Sequence, residues 1–190
     1  MRLPLHLLAI VFFCICALAS GVRRHDDTPD GHMLAADTVE KAKEALAEGA
    51  NIDVQDELNG QTALMRATLH GWTSLVIFLL DQGANVKISE KDGYTPPHGA
   101  GFQGRVDILK ELRNRNVDIF AKSKKDKFTP FHRACWGREE RHTETVRFFI
   151  QQGVDVNLKG GKEKQTCFQM TPNKLIKALL VEHGAGSEEL

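Results

Sequence analysis

The chain has 190 residues, with 25 Lys plus Arg against 25 Asp plus Glu, so it presents no global field for nucleic acid or an anionic membrane. Apolar residues make up 42% and recur periodically, which excludes a disordered chain. At this length one domain can bury a sizeable core without a disulfide framework.

The N-terminus reads as a targeting segment. Arg2 is a short basic region, residues 3–18 are apolar apart from Pro4 and His6, and Ala17-Leu18-Ala19 is an A-x-A site. Residues 1–19 are therefore expected to be a signal peptide cleaved before Ser20, leaving a chain with a net charge near −1. The run is short for a spanning helix, which needs about 20 residues. An uncleaved membrane anchor is the alternative. Residues 20–31 read as a linker. Cys14 and Cys16 lie in the targeting segment. Cys135 and Cys167 have neither a CxxC pattern nor a matching His/Cys pair, so no zinc site is expected. They are expected to be two small buried apolar side chains. One disulfide between them, in an oxidising compartment, is the alternative.

From there on the chain repeats with a period near 33. Asn59-Gly60-Gln61-Thr62-Ala63-Leu64-Met65 is echoed by Asp92-Gly93-Tyr94-Thr95-Pro96-Pro97-His98 and by Asp126-Lys127-Phe128-Thr129-Pro130-Phe131-His132. A second echo runs through Gly49-Ala50-Asn51, Gly83-Ala84-Asn85, Asn116-Val117-Asp118, Gly153-Val154-Asp155 and Gly184-Ala185. Thr62, Thr95 and Thr129 fit helix N-caps, and Pro96 and Pro130 follow at the first helical position. A short helix then runs to Gly71, Gly104 or Gly137. A second helix carries apolar residues at helical spacing, as in Val106-Ile108-Leu109-Leu112. Gly83, Asn116 and Gly153 fit the left-handed cap that ends it. Polar loops join the units.

These motifs resemble the ankyrin repeat: a T-P-L-H-like start, a Gly after the first helix and a G-A-D/N end. The resemblance covers roughly residues 32–185. It implies an all-α solenoid of helix-turn-helix units joined by β-hairpin loops, at about 32–54, 58–90, 91–123, 125–161 and 162–185, with 186–190 as a tail. The first unit would have a short helix around Met33–Ala36. The fourth carries about four extra residues near Arg138–Arg141, and the fifth is truncated, as solenoid ends often are. Pro97 departs from the pattern, and Gly99, Gly101 and Gly104 surround it. Each helical glycine costs about 1 kcal/mol against Ala, so the first helix of unit three is expected to be the weak point of the stack.

The family binds other proteins on the concave side of the stack, and the resemblance places two ladders there. Gln61, Tyr94 and Phe128 precede the threonines. Leu69, Phe102 and Trp136 follow them by seven residues. Large apolar side chains in a groove are candidate binding anchors; the alternative is that each packs on its neighbour and stiffens the stack. Asp53, Asp56 and Glu57 make the first hairpin tip acidic, whereas Lys122, Lys124, Lys125 and Lys127 make the third basic, and Lys159, Lys162 and Lys164 the fourth. A protein partner with an acidic patch would dock there in one direction; the alternative is a pair of solvated lysine-rich loops. The resemblance gives His98 and His132 a structural role, bonding backbone groups of the hairpin. Cys135 lies three residues after His132, so a Cys–His dyad is geometrically imaginable. No motif supplies an oxyanion hole or orienting acid, and there is no P-loop, GxGxxG or HExxH. The expectation is a binding module with no cofactor and no metal, not an enzyme. Ser187-Glu188-Glu189-Leu190 resembles a relaxed retrieval signal, so an ER-lumen or secreted location is expected. There is no Asn-x-Ser/Thr acceptor.

Overall fold

A computed structural model describes residues 27–186. The expected signal peptide and the Ser187–Leu190 end lie outside the described residues. Five helix pairs follow one another: α1 (Pro29–Ala35) with α2 (Val39–Ala47), α3 (Ala63–His70) with α4 (Thr73–Asp81), α5 (Pro96–Phe102) with α6 (Val106–Asn114), α7 (Pro130–Cys135) with α8 (Glu140–Gln151), and α9 (Cys167–Met170) with α10 (Lys174–Glu182). First helices stack on first helices and second on second, giving two layers around one continuous core. This is the all-α helix-turn-helix solenoid that the repeat implies.

The threonines act as read. Thr62 Oγ1 accepts from the Met65 N–H at 3.2 Å, and Thr129 Oγ1 accepts from the His132 N–H at 3.4 Å. Thr95 and His98 form the same reciprocal box. The second helices end at Gly83 (φ 88°), Asn116 (φ 59°) and Gly153 (φ 84°), all left-handed. The hairpins close through single backbone bonds, such as Glu90 N–H to Tyr94 O at 2.9 Å. Only the last described one has strand pairing, β1 (Lys159–Gly160) antiparallel to β2 (Gln165–Thr166).

Two expectations need correction. The first helix starts at Pro29, not near Met33, so it enters the stretch read as linker; Thr28 caps it by accepting from the Gly31 N–H at 3.0 Å. Cys135 and Cys167 are joined by a disulfide, with Cα atoms 5.6 Å apart and both residues fully buried. Two consecutive units bring the cysteines face to face, which their sequence separation of 32 residues did not settle.

Helix α5, read as a weak point, is closely packed. Pro96 to Gly101 are all buried. A Cβ on Gly101 would lie 2.2 Å from the Pro130 carbonyl oxygen, so α5 and α7 meet backbone to backbone. The glycine permits this proximity, which a Cβ would block. Gly101→Ala should therefore destabilise by about 2–3 kcal/mol through overpacking, although propensity alone predicts a gain of about 1 kcal/mol. Urea denaturation decides by the sign: a more stable variant would refute the close-packing account.

The second helices of units three, four and five also reach back to the preceding unit. Arg105 Nη2 donates to Leu69 O at 3.3 Å, His142 Nε2 to Phe102 O at 3.1 Å, and Asn173 Nδ2 to Gly137 O at 3.4 Å. These bonds satisfy carbonyls at the ends of the first helices, which have no partner within the helix.

Candidate functional site

The residue before each threonine leans on the next hairpin. Gln61 Nε2 donates to Glu90 Oε2 at 2.8 Å, the Tyr94 hydroxyl donates to Asp126 Oδ2 at 2.7 Å, and the Phe128 ring covers Gly161. The second ladder lies alongside. Leu69 is half-buried, Phe102 is 48% exposed, and Trp136 meets Phe128 edge to face with ring centroids 5.3 Å apart.

The two ladders are bound together by Arg133, which the sequence reading did not single out. Its guanidinium lies 4.2 Å from the Tyr94 ring centre, 4.2 Å from that of Trp136 and 5.3 Å from that of Phe128. It also donates to Asp126 Oδ2 and the Tyr94 hydroxyl, and only 5% of the residue is exposed. Burial, with the bond to Asp126, pushes the Tyr94 phenol up to about 12. Burial alone would raise the Asp126 carboxyl, but the bonds it accepts from Tyr94 and the Phe128 N–H outweigh that and hold it below its usual range. Tyr94, Phe128 and Trp136 are thus an occupied cation–π cage, and only Phe102 of the aromatic ladder residues remains largely open to solvent.

Arg133 stands four residues after Thr129, and Arg66 stands four after Thr62. The corresponding slot after Thr95 is Gly99. Met65 and Leu69 close over Gly99, where a Cβ would lie 3.1–3.2 Å from them, and with Phe102 they line a cavity of about 260 Å³ on this face, with Tyr94, Gln61 and Glu90 at its edge. The walls are mostly apolar, and the polar groups are few, the usual make-up of a binding pocket.

The ankyrin-repeat models match residues 32–123, as three copies, and residues 126–161. The chain belongs to the ankyrin-repeat family. Inactive serine/threonine-protein kinase TEX14 of Bos taurus is 38% identical over 108 residues, 57% of this chain and 7% of that protein. Ankyrin repeat and SAM domain-containing protein 6 of Mus musculus is 52% identical over 84 residues, 44% of this chain and 9% of that protein. Alpha-latrocrustotoxin-Lt1a of Latrodectus tredecimguttatus is 28% identical over 136 residues, 70% of this chain and 9% of that protein. The chain spans less than a tenth of each of these relatives. Ankyrin repeats are generally non-enzymatic modules that bind other proteins.

The ankyrin histidines hold hairpins. His98 Nε2 bonds Phe128 O at 3.3 Å, and His132 Nε2 bonds Leu158 O at 3.0 Å. A carbonyl only accepts, so Nε2 carries the proton in each ring, and Nδ1 is left to accept from the Thr95 or Thr129 N–H at 3.4 Å. Burial lowers both imidazole pKa values, which keeps them neutral. The Cys–His dyad does not form: the Cys135 sulfur is in the disulfide, and both His132 nitrogens are engaged. Lys122, Lys124, Lys125 and Lys127 are exposed on their tip. Lys125 spans to Asp92 at 3.6 Å, an exposed pair of little energetic weight. Among the described residues no group of three or more His, Cys, Asp or Glu is placed to hold a metal ion.

Proposed function

We propose that this chain is a non-catalytic binding module that seats an apolar side chain of a partner protein in the pocket between units two and three. The observation that carries this is the cavity walled by Met65 and Leu69 beside the half-exposed Phe102. The basic tip of Lys124, Lys125 and Lys127 then receives an acidic part of the same partner, at the opposite end of the charge gradient from Asp53, Asp56 and Glu57. We place the module in the secretory pathway, in the ER lumen or outside the cell. Its support is the buried disulfide, a bond that persists in oxidising compartments, together with the apolar N-terminal run and its A-x-A site. Held by that run without cleavage, it would instead be a tethered adaptor. Among the described residues no helix is long and apolar enough to cross a membrane.

The test is cross-linked capture from the cells that make the protein, comparing wild type with Phe102→Ala and with Leu58→Ala, whose side chain is 80% exposed. Proteins lost about 10-fold or more with Phe102→Ala but kept with Leu58→Ala are the groove's partners, as expected for truncation of an interface anchor. Equal capture by all three would rule out this groove. N-terminal sequencing of the captured chain separates the locations: a start at Ser20 supports the lumenal reading, and an intact Met1 the tethered one.

A further inference from the structure

At about 260 Å³ the cavity beside Phe102 is smaller than the roughly 300–1,000 Å³ that holds a whole small ligand, and it suits one large side chain. Its walls favour an aromatic ring. Met65 contributes a thioether, and a polarisable sulfur makes good contacts with ring edges. Phe102 and Tyr94 contribute rings of their own, and that of Phe102 is half open to solvent. A flat ring entering beside them can stack or meet them edge to face.

The edge of the cavity sets a polar requirement. The Gln61 amide donates to Glu90 Oε2 at 2.8 Å. The other oxygens of this pair, Gln61 Oε1 and Glu90 Oε1, receive no hydrogen bond from any described residue. The Tyr94 hydroxyl is already used: it donates to Asp126 and accepts from Arg133. His98 is used as well, with Nε2 on Phe128 O and Nδ1 accepting from the Thr95 N–H. Gln103 carries both a donor and an acceptor and does not discriminate. A side chain that covers the Gln61 and Glu90 oxygens without bringing a donor leaves them unmatched, at a cost in free energy.

Leucine and phenylalanine bring no donor. Lysine and arginine do, but the Arg133 guanidinium lines the same cavity and its counter-ion Asp126 does not, so a second cation would be set against the first. A charge entering a mostly apolar cavity also loses its hydration. The tyrosine hydroxyl adds an oxygen that itself calls for a donor, whereas the indole N–H only donates. We propose that the side chain seated in this pocket is a tryptophan of the partner protein, with its rings against Met65, Leu69 and Phe102 and its N–H donating to the Gln61 and Glu90 oxygens. This deepens the binding-module reading and rests on it.

Methyl NMR of the purified full chain tests this, following Met65 and Leu69 with the exposed Leu58 as control. The probes are the N-acetyl amides of tryptophan, 1-methyltryptophan, phenylalanine, tyrosine and arginine. The tryptophan amide should shift Met65 and Leu69 but not Leu58, saturating in the millimolar range. The 1-methyltryptophan and phenylalanine amides lack the N–H and should bind about 5-fold more weakly, the scale of one hydrogen bond. In the double variant Gln61→Met with Glu90→Met, the preference for tryptophan over 1-methyltryptophan should vanish, whereas a clash of the added methyl would persist. Circular-dichroism melts check that the variant folds, and the probe series on wild type decides without it. A phenylalanine, tyrosine or arginine amide that binds as tightly as tryptophan overturns the inference and leaves the groove reading standing. So does a preference that survives in the folded double variant. Probes that shift neither Met65 nor Leu69 overturn it too, and the Phe102→Ala capture then decides the groove by itself.

Discussion

Replacing Cys135 and Cys167 together by alanine is expected to destabilise the C-terminal half by about 3–4 kcal/mol. The crosslink closes a loop of 32 residues, and removing it returns that loop's entropy to the unfolded chain. The crosslink anchors α9, which is only four residues long, and helices that short have no stability of their own. For a domain of this size the loss corresponds to a fall of about 10 °C in Tm. Wild-type protein melted in a strong reductant should move toward the variant. Hydrogen exchange should locate the damage, with residues 166–185 losing protection before the rest. If the double variant melts within about 2 °C of wild type, the bond contributes nothing like the loop-closure estimate.

Arg133→Met should cost about 2–4 kcal/mol, because it leaves the Asp126 carboxylate and the Tyr94 hydroxyl without the cation between them. The apolar stem is kept, so lost packing is a minor part. Asp126 is itself partly exposed, with 27% side-chain accessibility, which places the estimate below that for a fully buried pair. Two companions check the cause. Adding Asp126→Asn to Arg133→Met should return part of the loss by removing the unpaired charge. Arg133→Lys should fail to rescue, since an ammonium cannot lie flat between Tyr94 and Trp136 as a guanidinium does. Denaturant midpoints for the three variants measure this. Equal stability of Arg133→Lys and wild type would mean that charge alone is at work.

The period, the capping threonines and the histidine slots were legible because each is a local signal repeated at a fixed step. Thr28 was legible too, at 34 residues before Thr62, the same step as from Thr95 to Thr129, but Pro29 to Gly31 lie in a polar stretch that reads as linker. The disulfide was not legible, since it depends on how far unit five is drawn onto unit four. Nor was the role of Tyr94, Phe128 and Trp136 in the site. Their spacing placed them on one face, but the cage exists only because Arg133 reaches across two units to them. The pocket was hidden for another reason: Gly99 reads as a weak helix position, and the packing of Met65 and Leu69 against it appears only once the units are stacked.

The contact at Gly101 also sets the shape of the molecule. Where α5 meets α7 the first-helix layer is as thin as backbone allows. The second-helix layer is filled by Ile108, Leu109, Leu112, Val146 and Phe149. A unit narrow on one side and wide on the other is a wedge, and stacked wedges trace an arc. The radius of that arc is therefore written in side-chain volume, and residues on its inner rim, Phe102 among them, are drawn closer together than a straight stack would hold them. A bulkier residue at position 101 would straighten the arc and spread the residues of its inner rim.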